Sequence, residues 1–458
     1  MAVIGGIIGG GIFRTPASVA ERVGTAPLFL TAWVLGGLVA LAGAFCYGEL
    51  GSRRPKAGGG YVYLRETLGS LPAFLYGWAL LFVIGSGAIA AVAKTFAGYF
   101  LSLTGLPENL TVPVAVAAIV LLAGINYVGV KPAAITQNLF TILKLTALAA
   151  LIAVGLSFTI LHHPPPPSTA PAGWGGVVIA LGAALVPILF TYGGWQQTNF
   201  IAEEIIAPER NLPRALVLGV IGVVTVYLLA NIAYLRVLGP VGLAQSTAPA
   251  ADVMRGLLGP VGSTIISAGI TASTFGFLNL VILVTPRVFQ AMAADGVFFP
   301  RFAALHPVYR TPTAAILLQS VWSIVLTLNK SFTALVDYVA FGDWIFFGLT
   351  VVGLFVYRSR GGEAPPFRAP GGVWVPGFFV AAAAYVVASS IWANPGNALI
   401  GTGLMLLGVP VYLYWRLPRR LGGSASPLAD LAARRLQRCI PRGTSLSIQR
   451  SRTVPKVQ

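Results

Sequence analysis

Windows of about 20 apolar residues follow one another along the whole chain, at residues 1–20, 27–49, 71–101, 111–129, 135–161, 176–202, 213–238, 259–292, 312–329, 332–357, 373–393 and 396–415. A helix needs about 20 such residues to cross ~30 Å of hydrocarbon. Inside that layer every backbone polar group must be satisfied by the protein itself. The pattern therefore confines the chain to one class of solution, an all-α polytopic bundle with twelve spans. The residues are 56% hydrophobic and 9% charged, against about 25% charged in soluble domains, and no gap leaves room for a large soluble domain. The first window has neither the basic leader nor the A-x-A site of a cleavable signal peptide.

A net charge of +17 invites a nucleic-acid reading, but its placement argues against one. With both termini in the cytoplasm, most of the 30 Lys and Arg residues fall in cytoplasmic loops and the tail. Arg14, Arg22, Arg236, Arg255 and Lys330 are left outside, with Lys94 and Lys144 inside spans. This is the positive-inside bias of a multi-pass membrane protein. Cys46 and Cys439 are too far apart in sequence to suggest a disulfide, and no metal-ligand spacing is present. No cofactor is expected. The loop at 161–174, with four consecutive prolines and no Lys or Arg, reads as extracellular and stiff. The tail from 416 is basic, either disordered or with a surface amphipathic helix at 426–440 whose Arg434, Arg435 and Arg438 face anionic lipid.

Two spans are interrupted. "GGIIGGGIF" at 5–13 holds five glycines in nine positions, and "LVPILFTYGGWQQTNFIAEEI" at 185–205 breaks at Gly193-Gly194. Each cluster alone is explained by close helix packing through small residues. Together they lie five spans apart, an odd number, so the second half of the chain is expected to be inverted relative to the first. Paired interruptions in corresponding halves are the sequence signature of a secondary transporter's binding site. The N-terminal end of one half-helix offers N–H donors and a positive dipole to an anion, and the C-terminal end of the other offers carbonyls to a cation. A small ligand needing both is a zwitterion.

The segments "IGGIIGGGIFRTP", "FTYGGWQQTNFIAEEIIAPERNLPRAL" and "GFLNLVILVTPRVFQAMAADGVFFPRFAALHP" resemble the first, sixth and eighth spans of amino acid permeases of the amino acid–polyamine–organocation superfamily. Through "TILKLTALAALIAVG" and "FTYGGW" the chain is most similar to the L-type branch and its bacterial relatives. The resemblance implies a LeuT-type fold. Its first repeat would be 1–161 and its inverted second repeat 162–358, followed by two further helices at 359–415 and the tail at 416–458. It also implies secondary transport of neutral amino acids by exchange or proton symport. The substrate carboxylate would meet the amides of Gly9, Gly10 and Gly11, and its amine the carbonyls of Ile8, Phe190, Thr191 and Gly193. Phe190 would act as outer gate, and Trp195 would line or brace the pocket. Relatives carry another helical turn or two before the first motif, so the true start is expected upstream of Met1.

Lys144 lies near the middle of its span, where a charge costs about 2.5–3.5 kcal/mol on insertion scales. The resemblance implies that this lysine takes the place of the sodium of coupled relatives and ties the first span to the eighth, with Ser273 or Thr274 beside it. Lys94 and Asp343 depart from the L-type pattern. Counted from the outer ends of their spans they sit within ~6 Å in height at 1.5 Å per residue, and are expected to pair as an ion pair or gate latch, the competing readings being Lys94 alone in an aqueous vestibule or Asp343 as a proton site. Glu203 and Glu204 stand near Arg210 and Arg214, as solvated charges or an inner gate; His162, His163 and His306 read as plain loop residues. Small residues Gly85, Ser86 and Ala88 leave room for a medium or bulky side chain.

A membrane enzyme would need converging nucleophiles, ligands or paired carboxylates; the spans hold no histidine and few acids. A non-transporting sensor or scaffold, and a polyamine or cationic amino acid carrier, stay open at this stage. Expected partners are an amino acid and membrane lipid, not nucleic acid. No protein partner is assigned: the L-type branch in animals joins one through an extracellular-loop cysteine, which this chain lacks.

Overall fold

The computed structural model describes residues 1–157, 173–329, 332–361, 364–393 and 395–421. Among them every regular element is a helix. In order these are α1 (Ala2–Ile7), α2 (Gly11–Val23), α3 (Ala26–Arg53), α4 (Gly60–Thr67), α5 (Ser70–Ala79), α6 (Gly85–Thr104), α7 (Thr111–Val128), α8 (Val130–Ser157) and α9 (Gly173–Thr191). There follow α10 (Pro208–Gln245), α11 (Pro249–Val284), α12 (Pro286–Ala294), α13 (Thr313–Asn329), α14 (Phe332–Ser359), α15 (Trp374–Ala393), α16 (Pro395–Leu406) and α17 (Gly408–Leu421). A π-helical turn, Leu80–Ile84, joins α5 to α6, and a 3-10 helix, Trp195–Glu204, continues α9 beyond its break. Ten of the described helical segments are long and apolar enough to cross a membrane, and Thr313–Asn329 is a shorter apolar helix. The proline-rich loop with His162 and His163, Lys330, and the tail with Cys439 and its expected amphipathic helix lie outside the described residues.

The solvent-side chemistry agrees with a lipid environment. Leu121, Ile135, Ile179, Leu218, Val321 and Leu399 are all exposed, an apolar exterior that water would penalise and hydrocarbon does not.

Inside, helices close on one another through small residues. On α3, a Cβ at Gly37 would come within 2.9 Å of Val224, and one at Gly51 within 2.6 Å of Leu212, so α10 lies directly on the α3 backbone. Above that contact Trp33, Tyr192 and Tyr227 pack edge-on and tilted, with centroids 5.2–6.1 Å apart. Buried amides tie three further helices: Asn126 on α7 donates to Asn279 on α11 at 3.0 Å, and Asn279 donates to the Ala133 carbonyl on α8 at 2.9 Å. Such bonds satisfy polar groups that lipid cannot.

Helix ends follow local sequence. Gly239 and Gly259 adopt φ of +65° and +66° inside α10 and α11, each immediately before a proline. Each pair bends the chain without ending the run of helical turns, close to the limits 238 and 259 that the apolar windows set. The loop at 51–70 is more ordered than its basic composition indicates, since it contains α4.

The two interrupted helices cross at their breaks. Gly194 has φ +103°, and a Cβ there would stand 2.2 Å from the Gly6 carbonyl oxygen; a Cβ on Gly6 would stand 2.9 Å from the Gly194 oxygen. Neither neighbour is a flexible side chain. Gly194→Ala is therefore expected to lower the thermal unfolding midpoint in detergent, from about 1–3 kcal/mol of backbone strain plus the displaced Gly6. Gly396→Ala, with open space around it, is the control and should leave the midpoint unchanged.

Candidate functional site

The first break begins where Ile8, at φ −76° and ψ 92°, leaves the helix after α1. The Gly9 N–H turns back to the Ile7 carbonyl at 2.9 Å. Helix α2 then opens at Gly11, and among the described residues the amides of Gly10, Gly11 and Ile12 have no backbone acceptor. They form the donor end of a helix, the ordinary place for a carboxylate. Of the expected trio, the Gly9 amide is used within the break, while those of Gly10 and Gly11 have no backbone acceptor. Gly9, Gly10 and Gly11 all line a cavity of 940 Å³.

The second break follows Thr191. Gly193 N–H donates to the Phe190 carbonyl at 3.1 Å, and Gln196 Oε1 accepts the Gly194 N–H at 3.0 Å. Phe190, Thr191 and Gly193 line the same cavity. Trp195 does not; it is buried between Tyr47, Phe347 and Phe379 at centroid distances of 5.0, 5.7 and 6.2 Å and so braces the wall from behind. Tyr227 on α10 had no sequence signal, yet its hydroxyl joins the two breaks. It donates to the Ile7 carbonyl at 3.1 Å, with the Thr191 carbonyl 3.5 Å away.

Behind the first break sits Lys144, fully buried on α8. Its Nζ donates to the Gly5 carbonyl at 3.0 Å and the Ile8 carbonyl at 2.5 Å. Ser273 Oγ on α11 lies 3.3 Å from the same Ile8 oxygen and 3.1 Å from that of Gly9. Ser273 has one hydroxyl hydrogen to share between these two oxygens, so the Ile8 carbonyl, expected to receive the substrate amine, is held by Lys144 and keeps a lone pair when that hydrogen goes to Gly9. Thr274 does not join them: its hydroxyl donates within α11, 2.9 Å from the Ile270 carbonyl. Its methyl instead faces Gly10.

Lys94 and Asp343 do not meet. Among the described residues no ion pair within 4.0 Å joins them. Helical phase explains why. The cavity face of α6 is Gly85, Ala88, Val92 and Thr95, at spacings of three and four. At ~100° per residue Lys94 falls on the far side of that helix. Asp343 does line the cavity, beside Trp344 and Phe347. Ser86, expected with Gly85 and Ala88 to leave room, is buried off the cavity.

At the bundle end that carries α4, charged and polar groups converge. Asp295 accepts from the Tyr61 hydroxyl at 2.7 Å and is paired with Arg65. Glu66 pairs with Arg54 at 2.6 Å and accepts from Tyr357 at 2.9 Å. Burial raises the Glu66 carboxyl, but the Arg54 and Tyr357 bonds outweigh it and hold the group below the usual carboxylate range. Tyr63 and the Gly58 amide bind Asn199 and the Phe200 carbonyl at 3.0 and 3.1 Å, fixing the α4 loop to the inner half of the second broken helix. Glu204 pairs with Arg287 on α12 at 2.9 Å, not with the sequence-adjacent Arg210 or Arg214. His306 is more than a surface residue: its Nδ1 accepts from the Val308 and Tyr309 amides at 3.3 and 3.2 Å and caps a turn.

The cavity runs from the two breaks to the opposite end of the bundle, where Glu21, Arg22 and Trp392 are exposed. Among the described residues no cluster of His, Cys, Asp and Glu could hold a metal. A helical membrane bundle with two broken helices meeting at such a cavity has the build of a transporter for a small polar solute, not of an enzyme. The chain belongs to the amino acid permease family, whose profile matches residues 1–415. It is 34% identical over 429 residues to the large neutral amino acids transporter small subunit 2 of Mus musculus, covering 90% of this chain and 80% of that one. Over 422 residues it is 32% identical to the serine/threonine exchanger SteT of Bacillus subtilis (strain 168), covering 90% and 93%. Over 427 residues it is 33% identical to the Asc-type amino acid transporter 1 of Mus musculus, covering 90% and 80%.

Removing the ammonium would leave the Gly5 carbonyl unpaired and Ile8 with Ser273 alone. Lys144→Met is expected to cut amino acid uptake at least about tenfold, since bonds to a charged donor are worth ~1.5–3 kcal/mol each. Uptake into proteoliposomes containing equal amounts of monodisperse protein checks this.

Proposed function

We propose that the protein is a sodium-independent exchanger of neutral L-amino acids in the cell membrane, working by alternating access. The observation that carries this reading is the pair of breaks at one cavity, with free amides at Gly10 and Gly11 beside the carbonyl end of α9. The amides suit the α-carboxylate, and the carbonyls of Thr191 and Gly193 suit the α-amine. Gly10 presents bare backbone to the cavity, and glycine at 11 makes room for the Thr191 side chain against it. Phe190 is suited to close over the bound substrate from the cavity side, with Trp195 holding the wall in place.

Twelve spans follow if the α1–α2 pair counts as one interrupted span and α13 as another, beside the ten longer segments. An inverted repeat of five spans each, 1–161 and 162–358, accounts for the two breaks falling at the same place in opposite sense, with two further spans at 359–415. The positive-inside bias supports a cytoplasmic location for both termini and the α4 loop. The cavity then faces outward, and the Asp295–Arg65, Glu66–Arg54 and Glu204–Arg287 pairs form the closed inner gate. Sodium independence is supported by Lys144, whose ammonium occupies the carbonyls a coupled cation would need. Exchange is supported by the relatives, one of which is named an exchanger.

The test is uptake of labelled neutral amino acids into proteoliposomes. Exchange predicts at least about tenfold faster uptake when unlabelled amino acid is inside, with no change on replacing sodium by choline. Uptake driven by a pH gradient into empty vesicles would replace exchange by proton symport. No uptake or binding of any amino acid would sink the transport assignment.

A further inference from the structure

Among the described residues Asp343 is the one acid on the inner wall of the cavity that the transport geometry above leaves without a task. Several other polar side chains of that cavity bond within the protein, although the Gln197 Oε1 and the Ser390 hydroxyl have no partner among the described residues. Thr95 donates to the Ala91 carbonyl at 3.2 Å, Thr191 to that of Pro187 at 2.8 Å, and Thr285 to the Val281 carbonyl. Gln196 accepts the Gly194 amide. Asp343, by contrast, has no hydrogen bond or ion pair with any described residue, although it lines the same cavity as the two breaks. Ala340, Trp344 and Phe347 of its own helix line the cavity with it, and the buried Tyr47 and Tyr76 are close enough to interact with it electrostatically. A carboxylate so placed is hydrated while the cavity is open. When the cavity closes over a substrate, water leaves and the carboxylate needs a donor.

We infer that Asp343 is the acceptor of the side-chain subsite, and that the preferred substrates are neutral amino acids whose side chains donate a hydrogen bond, a hydroxyl or an amide. The inference rests on the transport reading above and narrows its substrate class. Charge decides between a neutral donor and a cationic one. Arg14 and Arg22 line the outer part of the cavity against a single acid there, Glu21, which opposes a cation on its way in. Leu80 and Ile84 of the wide π-helical turn, with Gly85 and Ala88 after it, line the same cavity as Asp343.

Threonine and valine have the same shape and differ only in the hydroxyl, so their ratio as competitors reads the acceptor directly. In proteoliposomes of the full chain, unlabelled threonine should inhibit uptake of labelled threonine at least about tenfold more effectively than valine, and lysine should compete poorly. D343L should bring the threonine-to-valine ratio to within about twofold while valine still competes. D343N, which keeps one acceptor oxygen, should retain a reduced preference for threonine and serves where D343L does not fold. A wild-type ratio near one, a ratio unchanged in both variants, or lysine outcompeting threonine would each overturn the inference while leaving amino acid transport standing. Absence of uptake with every amino acid would instead strike the transport reading itself.

Discussion

A helix broken inside a membrane leaves carbonyls that water cannot reach, and the ammonium of Lys144 answers that problem here. Its two bonds, to Gly5 and Ile8, are charge-assisted and worth about 1.5–3 kcal/mol each. Their sum offsets the roughly 2.5–3.5 kcal/mol that a charge near the bilayer centre costs. The lysine and the break therefore make each other tolerable. Because Lys144 comes from α8 and Ser273 from α11, the same few ångströms also fix α1 against two other helices. The free amides at the start of α2 face the cavity only because this arrangement holds the inner half-helix still.

The breaks and the spans could be read from the chain because glycine clusters and apolar length are local properties. So could Lys144, since a lone charge mid-span needs partners and the nearest unsatisfied groups are break carbonyls. What escaped reading depends on tertiary approach. Tyr227 is an ordinary aromatic in an apolar span until α10 packs across both breaks. Arg287 looks like a loop-proximal cation until α12 turns it towards Glu204. The α4 loop is short and basic, and only its landing on Asn199, Phe200 and Asp295 gives it a shape. The site expectations that failed did so for geometric reasons that linear spacing hides. Depth along a helix was the wrong coordinate for Lys94 and Asp343, because phase around α6 decides what faces the cavity. At Ile8 and Gly9, assigned to the ligand by their place in the motif, the fold also uses the Ile8 carbonyl and the Gly9 amide to hold the break itself.

The glycines of the first span serve two purposes at once, so packing and breaking were never true alternatives. Gly5 and Gly6 have no room for a Cβ. One at Gly5 would stand 2.1 Å from Gln137, and one at Gly6 2.9 Å from the Gly194 carbonyl oxygen. They are packing glycines in a regular helix. Gly9, Gly10 and Gly11 sit where the chain turns, and face Phe277, Thr95 and Thr191 across the cavity wall. The first pair brings the two broken helices into contact, and the following trio opens backbone to the cavity at that crossing. Neither would suffice alone. Without the close approach the two breaks would be separate defects, each with unpaired polar groups in hydrocarbon. Without the trio the crossing would be a sealed helix–helix contact, with nothing for a ligand to bind. A cavity with donors on one side and carbonyls on the other requires both, which is why so many glycines stand in a span where each costs about 1 kcal/mol of helix propensity relative to alanine.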